Sequence, residues 1–177
     1  MTEEFLVFSS DLGWTGLLLR GECIYRIWIG HNNRRDLLQR AKCQPTSTPS
    51  SRQQQIVNRL LDFTSGKPTS LAALKIATDH MTDFQRRVTS ACRQIPWGET
   101  LTYGQVAQIA GSPNASRAVG TVMANNLYPL VVPCHRVCSS TGLGGFSAPN
   151  GITLKRRLLE NEFVSAAADK NVFRKTS

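Results

Sequence analysis

Three apolar segments in the first thirty residues, Phe5–Phe8, Trp14–Leu19 and Cys23–Ile29, are separated only by the turn-formers Asp11-Leu12-Gly13 and Arg20-Gly21-Glu22. Connections this short join antiparallel neighbours, because a parallel return needs a crossover of a dozen residues or more. The spacing therefore predicts a three-stranded meander. Arg34–Ala41 reads as a short helix and Gln44–Ser51 as a polar Pro/Ser/Thr loop. Ile56, Leu60, Leu61 and Phe63 then fall at helical spacing ahead of the stop signals Gly66 and Pro68. Residues 1–78 thus form an expected small α/β domain, and nothing in it resembles a reaction site.

At 177 residues, 41% apolar and 19% charged, the chain has enough apolar content for a core and too little charge for a disordered segment. No apolar stretch approaches the ~20 residues of a membrane span, and Met1-Thr2-Glu3-Glu4 is acidic where a secretory signal is basic. A cytoplasmic, membrane-free protein is expected. The five cysteines are odd in number and scattered, which argues for reduced thiols over a disulfide framework. The formal charge is +9, and fifteen of the 21 cations are arginine, the side chain suited to phosphate forks and to stacking on bases. A polyanionic partner fits, as does a generally basic surface.

The pattern changes near Asp79. Thr82 lies three residues before Gln85, a capping-box spacing, and Phe84, Val88, Ala91, Cys92 and Ile95 mark one face of a helix ended by Pro96-Trp97-Gly98. Thr102 and Gln105 repeat the box and open a short helix with Val106 and Ile109 inward, closed at Gly111. Ser112-Pro113 is expected to cap a third helix, about 113–124, with Ala115, Val119, Val122 and Met123 inward. Two short helices across a Gly-Ser turn fit a helix-turn-helix, and an ordinary helical hairpin fits the same spacing. On the second helix Ser116, Ala118 and Gly120 surround one long cation, Arg117. Such a face can approach a groove closely and insert one guanidinium without reading sequence. Standing alone, Arg117 is equally a solvated surface arginine.

Leu130-Val131-Val132-Pro133-Cys134-His135-Arg136-Val137 is an apolar strand running into a Cys-His pair. A thiolate forms at neutral pH beside a cation or base, and an imidazole is the natural partner. Neighbours on a strand face opposite ways, so the two converge only where the backbone turns, as Pro133 permits, or through a water. A packed cysteine beside an incidental histidine is the plainer reading. Cys134, His135 and Cys138 lack the second ligand pair that zinc spacing requires, so no metal is expected. The glycine-rich bend Thr141–Ser147 matches neither the dinucleotide fingerprint nor the phosphate-binding loop, and is expected to close over a pocket. The last helix, Thr153–Glu162, turns Leu154, Leu158 and Leu159 inward. Glu162 at its end opposes the helix dipole, which points to another partner such as an imidazole. Residues after Val164 are expected to fray, with 166–177 a flexible tail.

Five blocks taken together carry a resemblance. They are Ile95-Pro96-Trp97-Gly98-Glu99-Thr100-Leu101-Thr102-Tyr103-Gly104-Gln105-Val106-Ala107, then Ser116-Arg117-Ala118-Val119-Gly120, then Asn126 ahead of Pro133-Cys134-His135-Arg136-Val137, then Gly144-Gly145-Phe146-Ser147, then Leu158-Leu159-Glu160-Asn161-Glu162. In order, spacing and identity this stretch, about residues 80–163, resembles the O6-alkylguanine-DNA alkyltransferases. The amino-terminal third resembles that family's variable domain only in outline. The implied fold is an α/β amino-terminal domain, a small antiparallel sheet plus helices of ribonuclease H-like kind. A mostly α, winged-helix-like helix-turn-helix domain carrying the acceptor cysteine follows over 79–165.

The resemblance implies a DNA repair protein that binds duplex DNA through the minor groove and rotates an O6-alkylguanine out of the stack. It would then move the alkyl group irreversibly onto its own cysteine, once per molecule and with no cofactor. By position, Cys134 would be the acceptor, His135 the base acting through water, Glu162 the carboxylate orienting that imidazole, and Asn126 the support of the turn. Tyr103 would donate to the purine N3 and help rotate the phosphate. Arg117 would fill the vacated stack, with Ser116, Ala118 and Gly120 against the groove. Main-chain groups at Cys134, Val137 and Ser147, with Phe146 as a wall, would form the pocket. Ser116 stands where the family often has a smaller residue. Some relatives hold a structural zinc on the amino-terminal domain, but here position 5 is Phe and Cys23 with His31 is a sparse set. The implied partner is duplex DNA bearing O6-alkylguanine, met by a monomer; O4-alkylthymine and cooperative binding stay open. Two other readings are a lesion-flagging module with Cys134 idle, and a helix-turn-helix regulator using Cys134 as a sensor. The lack of polar base-readers on the second helix counts against the regulator.

Overall fold

The computed structural model describes residues 3–46 and 48–174, with side chains through Ser165. The opening meander is present as β1 (Glu3–Ser10), β2 (Gly13–Arg20) and β3 (Cys23–His31), antiparallel in the order β1-β2-β3. Leu17 and Leu19 of β2 are wholly buried in the main core, while Phe5, Trp28 and Leu37 form a second, smaller cluster. Gly16 makes that cluster possible, since a Cβ there would stand 2.9 Å from the Phe5 ring. Leu37 belongs to α1 (Arg34–Ala41), whose Asn33 cap accepts the Asp36 N–H through its side chain. After a loop, in which residue 47 lies outside the described residues, a Ser50/Gln53 capping box opens α2 (Ser51–Thr64).

The free edge of β3 carries the rest of the molecule. Ile24 exchanges backbone hydrogen bonds with Lys75 and Ala77, and the Ile27 N–H donates to the Leu127 carbonyl at 2.8 Å. Tyr128 Oη donates to the Ala77 carbonyl at 2.6 Å. One apolar core consequently crosses position 78, running from Leu6 and Leu17 to Val137 and Leu158.

In the second half both expected capping boxes are formed, Thr82 with Gln85 opening α3 (Asp83–Arg93) and Thr102 with Gln105 opening α4 (Tyr103–Ile109). The β4 strand (Leu101–Thr102) pairs in parallel with β5 (Val137–Cys138). Three expectations change here. Ile109 is 56% exposed, because α4 is short and Val106, Ala107 and Ala110 already form its inward stripe. The following helix, α5, spans Ser116–Ala124 and not 113–124: the Ala115 N–H bonds the Ser112 carbonyl, closing a turn over Pro113-Asn114 before the helix starts. The final helix, α6, runs Gly151–Arg174, past both the expected end at Glu162 and the expected start of the tail. Residues 175–177 of that tail lie outside the described residues. Leu154, Leu158 and Leu159 are buried as expected.

Candidate functional site

The segment leading to Cys134 turns sharply. Leu130 has a φ of 75°, a left-handed conformation that costs a branched residue about 1 kcal/mol and must be held by its surroundings. Asn126 supplies much of that hold. Its Oδ1 accepts the Tyr128 N–H at 2.9 Å, and its Nδ2 donates to the Val132 carbonyl at 2.9 Å and to Cys134 Sγ at 3.1 Å. Cys134–Arg136 then forms a single 3₁₀ turn. This is a departure from the strand geometry that would point Cys134 and His135 to opposite faces.

Cys134 is 7% exposed and lines a cavity of ≈ 490 Å³ together with Asn126, Pro129, Phe146 and Ser147. Burial pushes its thiol pKa up. The Asn126 hydrogen bond, the charge of Lys155 and the main-chain N–H groups of Cys134 and His135 oppose that rise.

Behind the thiol lies a buried polar group. His135 Nε2 is 2.7 Å from Glu162 Oε1, and the two side chains are 0% and 1% exposed. Burial pushes the imidazole pKa down, so it is neutral at pH 7. For Glu162, burial works against ionisation, but hydrogen bonds and charge from His135 and Arg136 outweigh it and hold the carboxyl below its usual range. Nε2–H therefore donates to the carboxylate, which leaves Nδ1 as an unprotonated acceptor. That Nδ1 is buried and has no hydrogen-bond partner within the described residues.

Two buried cations complete the group. Arg136 Nε meets Glu162 Oε2 at 2.9 Å, its NH2 group meets Oε1 at 3.0 Å, and its NH1 group donates to the Ile95 carbonyl at 2.7 Å. Its guanidinium lies over the Phe63 and Trp97 rings. The Gly98 N–H donates to Glu162 Oε2 at 3.2 Å. Lys155, 0% exposed, donates from Nζ to the Val137 carbonyl at 2.6 Å and to the Gly145 carbonyl at 3.3 Å. It thus ties the strand after the 3₁₀ turn to the glycine-rich bend.

Of the residues the resemblance implies, Asn126 meets Cys134 and His135 meets Glu162, the two pairs being joined by the chain through the 3₁₀ turn, with Phe146 and Ser147 on the same cavity as the sulfur. Glu162 does so for a different reason from the one expected: it sits within α6, not at its end, and faces inward on the stripe of Leu158 and Leu159. Val137 and Tyr103 are not among the residues that line the cavity. Val137 is fully buried, with its N–H bonded to the Cys134 carbonyl and its own carbonyl to Lys155. Tyr103 packs under the bend, where a Cβ at Gly144 would stand 2.9 Å from its hydroxyl. Burial raises the pKa of that hydroxyl, which therefore stays protonated. Ser116, Arg117 and Ala118 are exposed on α5, and nothing lies within 4 Å of a Cβ built at Gly120, so this face is open.

Arg136 and Lys155 are functional-site residues that the sequence reading passes over. Each had a signal: Arg136 interrupts an apolar run, and Lys155 shares the inward stripe of α6 with Leu158 and Glu162.

No helix among the described residues is long and apolar enough to cross a membrane. Residues 83–164 match the family model described as 6-O-methylguanine DNA methyltransferase, DNA binding domain. Among curated proteins, the Mycobacterium tuberculosis methylated-DNA–protein-cysteine methyltransferase is 47% identical over 93 residues, 52% of this chain and 55% of that protein. The Metallosphaera sedula protein of the same name is 37% identical over 107 residues, covering 60% of this chain and 65% of its own. The chain thus spans about half to two thirds of the length of these curated relatives in the matched stretch. Among solved structures, a crystal structure of Mycobacterium tuberculosis O6-methylguanine methyltransferase superposes with a TM-score of 0.78 at 32% identity, covering 97% of this chain and 99% of that one. A Mycobacterium tuberculosis OGT in complex with DNA gives 0.74 at 31% identity, over 91% and 93%. A likeness that extends over nearly the full length of a solved relative, with the family model laid over the residues that join Asn126 to Cys134 and His135 to Glu162, makes this chain a member of the 6-O-methylguanine DNA methyltransferase family.

Proposed function

We propose that this protein repairs O6-alkylguanine in duplex DNA by transferring the alkyl group to Cys134, one group per molecule and without a cofactor. The observation that carries the reading is the buried relay: a thiol held by Asn126 on a cavity wall, followed by an imidazole whose Nδ1 is free to accept while Nε2 is locked to Glu162.

In this reading the Cys134 proton passes through water to His135 Nδ1, and Glu162 stabilises the imidazolium that forms. The thiolate attacks the alkyl carbon; the C–S bond forms as the C–O6 bond breaks, and the electron pair leaves with the purine. Tyr103, half-buried and protonated at neutral pH, donates to the purine N3 as negative charge develops, and the proton held at His135 returns to the departing base. The thioether has no leaving group that water could displace, so the reaction ends there. The lesion must leave the base stack to reach the sulfur, and Arg117, on the open face of α5 with Ser116, Ala118 and Gly120, fills the gap left behind. Main-chain groups at Cys134 and Ser147 hold the extruded base against Phe146, and the Val137 carbonyl joins them through the lone pair that Lys155 leaves free. We read the sheet half as ribonuclease H-like, α4 and α5 as the helix-turn-helix of a winged-helix-like unit, and the protein as a monomer acting in a reducing cytoplasm. O4-alkylthymine is a second candidate lesion.

Mass spectrometry after incubation with a duplex containing O6-methylguanine tests the proposal. One methyl gained on Cys134, lost in Cys134→Ser, is the expected result. Tight binding without a mass change would instead favour a lesion-flagging module.

A further inference from the structure

The Cys134 cavity has a second wall that methyl transfer does not use. Arg26 and His31 of β3 and Arg40 of α1 line the same ≈ 490 Å³ as the sulfur. The extruded purine and its methyl group are assigned to Cys134, Phe146 and Ser147, and Arg26, His31 and Arg40, on the same cavity, have no part in that step.

The chemistry of this wall is specific. No aspartate or glutamate lines the cavity. Arg26 and Arg40 take part in none of the ion pairs among the described residues. The Arg26 guanidinium carbon lies 5.0 Å from the centroid of the Trp28 ring, a cation–π contact that leaves its N–H donors free. His31 is buried, and burial lowers its pKa, so it adds a neutral imidazole to the two cations. Asp36, whose charge reaches His31, is engaged by the Asn33 side chain. Two exposed guanidinium groups that line one cavity and enter no ion pair among the described residues can receive an oxyanion.

We propose that Arg26, Arg40 and His31 form a subsite for the anionic end of a long O6 substituent, so that the protein favours O6-carboxyalkylguanines over neutral adducts of the same length. The proposal rests on the alkyl-transfer reading and names its substrate class. The bond changes are those given above: C–S forms, C–O6 breaks, the pair leaves with the purine, and the carboxylate stays on the transferred group.

The test uses full-length protein and three duplexes, carrying O6-methylguanine, O6-(3-carboxypropyl)guanine and its neutral isostere O6-(3-carbamoylpropyl)guanine. Alkylation of Cys134 is followed by mass spectrometry. The carboxylate adduct is expected to react about tenfold faster than the amide at low salt, the scale of a hydrogen bond to a charged group, with the ratio shrinking as salt is added. In the double variant Arg26→Gln, Arg40→Gln the acid-to-amide ratio is expected to fall to one, and because it is a ratio within one protein, a general loss of rate cancels. Equal rates in the unmodified protein, or a preference that survives in the double variant, would overturn the subsite. Failure of all three adducts to alkylate Cys134 would overturn the alkyl-transfer reading instead.

Discussion

Glu162 answers three groups at once, accepting from the His135 imidazole, the Arg136 guanidinium and the Gly98 N–H in a space closed to solvent. Removing its charge leaves Arg136 buried without a counter-ion, which in comparable pairs costs about 3 kcal/mol or more. Glu162→Gln is thus expected to lower stability by that amount in urea unfolding and to slow Cys134 alkylation, since the imidazole loses both its tautomer lock and its support as a cation. A variant as stable as the parent would refute the buried pair as described. Lys155 is the converse case, an ammonium with two carbonyls and no carboxylate, whose nearest titrating neighbours are the thiols of Cys138, Cys134 and Cys92. Lys155→Met removes a charge that favours the Cys134 thiolate. The iodoacetamide reaction of Cys134 at pH 7 should fall by about tenfold, with its rate-against-pH curve moved to higher pH. A curve that keeps its position would reduce Lys155 to a tie between β5 and the bend.

At the scale of the helices, the exposed face of α5 tests extrusion directly. Arg117→Ala should slow repair of a lesion in duplex DNA by roughly tenfold or more, because the vacated stack is costly to leave open, yet change little the reaction with free O6-alkylguanine base. Equal losses on both substrates would contradict the wedge role. Elements whose ends are written in side chains were legible from the sequence: the capping boxes at Thr82 and Thr102 fix the starts of α3 and α4. The start of α5 was not, because Ser112-Pro113 looks like a cap while the backbone spends those residues on a turn. The far end of α6 was missed because small polar residues after Val164 carry no apolar stripe to read. In the site, the thiol, imidazole, Asn126 and Glu162 were legible through their motif. Arg136 and Lys155 were hidden by the ordinary expectation that a cation faces water, and only the packed structure reveals that both face inward.

The main core runs through both of the units that the sequence suggested, so heating should melt both halves in a single transition, and two resolved transitions in calorimetry would contradict the shared packing. Acid should act in two stages. The His135 pKa is lower in the folded protein than its ordinary 6.5, so below that value the unfolded chain binds the extra proton and stability falls with pH. The Glu162 pKa is held below its ordinary 4.5, so a further loss sets in as pH drops past that value towards the folded one. A melting temperature that stays level from pH 7 to 5 would contradict the first shift, and one that stays level from pH 5 to 3 the second. With a formal charge of +9, affinity for duplex DNA should drop at least about tenfold between 50 and 200 mM salt through counterion release, and a flat response would place the contact away from the basic surface.

Leu127, whose carbonyl takes the Ile27 N–H, is the chain neighbour of Asn126, the side chain that steadies the sulfur. Prying that sheet edge loose would pull on the residue next to the carboxamide. The amino-terminal strands are the abutment of the Cys134 thiol, and a graft of the helical half onto a foreign scaffold would inherit that sulfur without its footing.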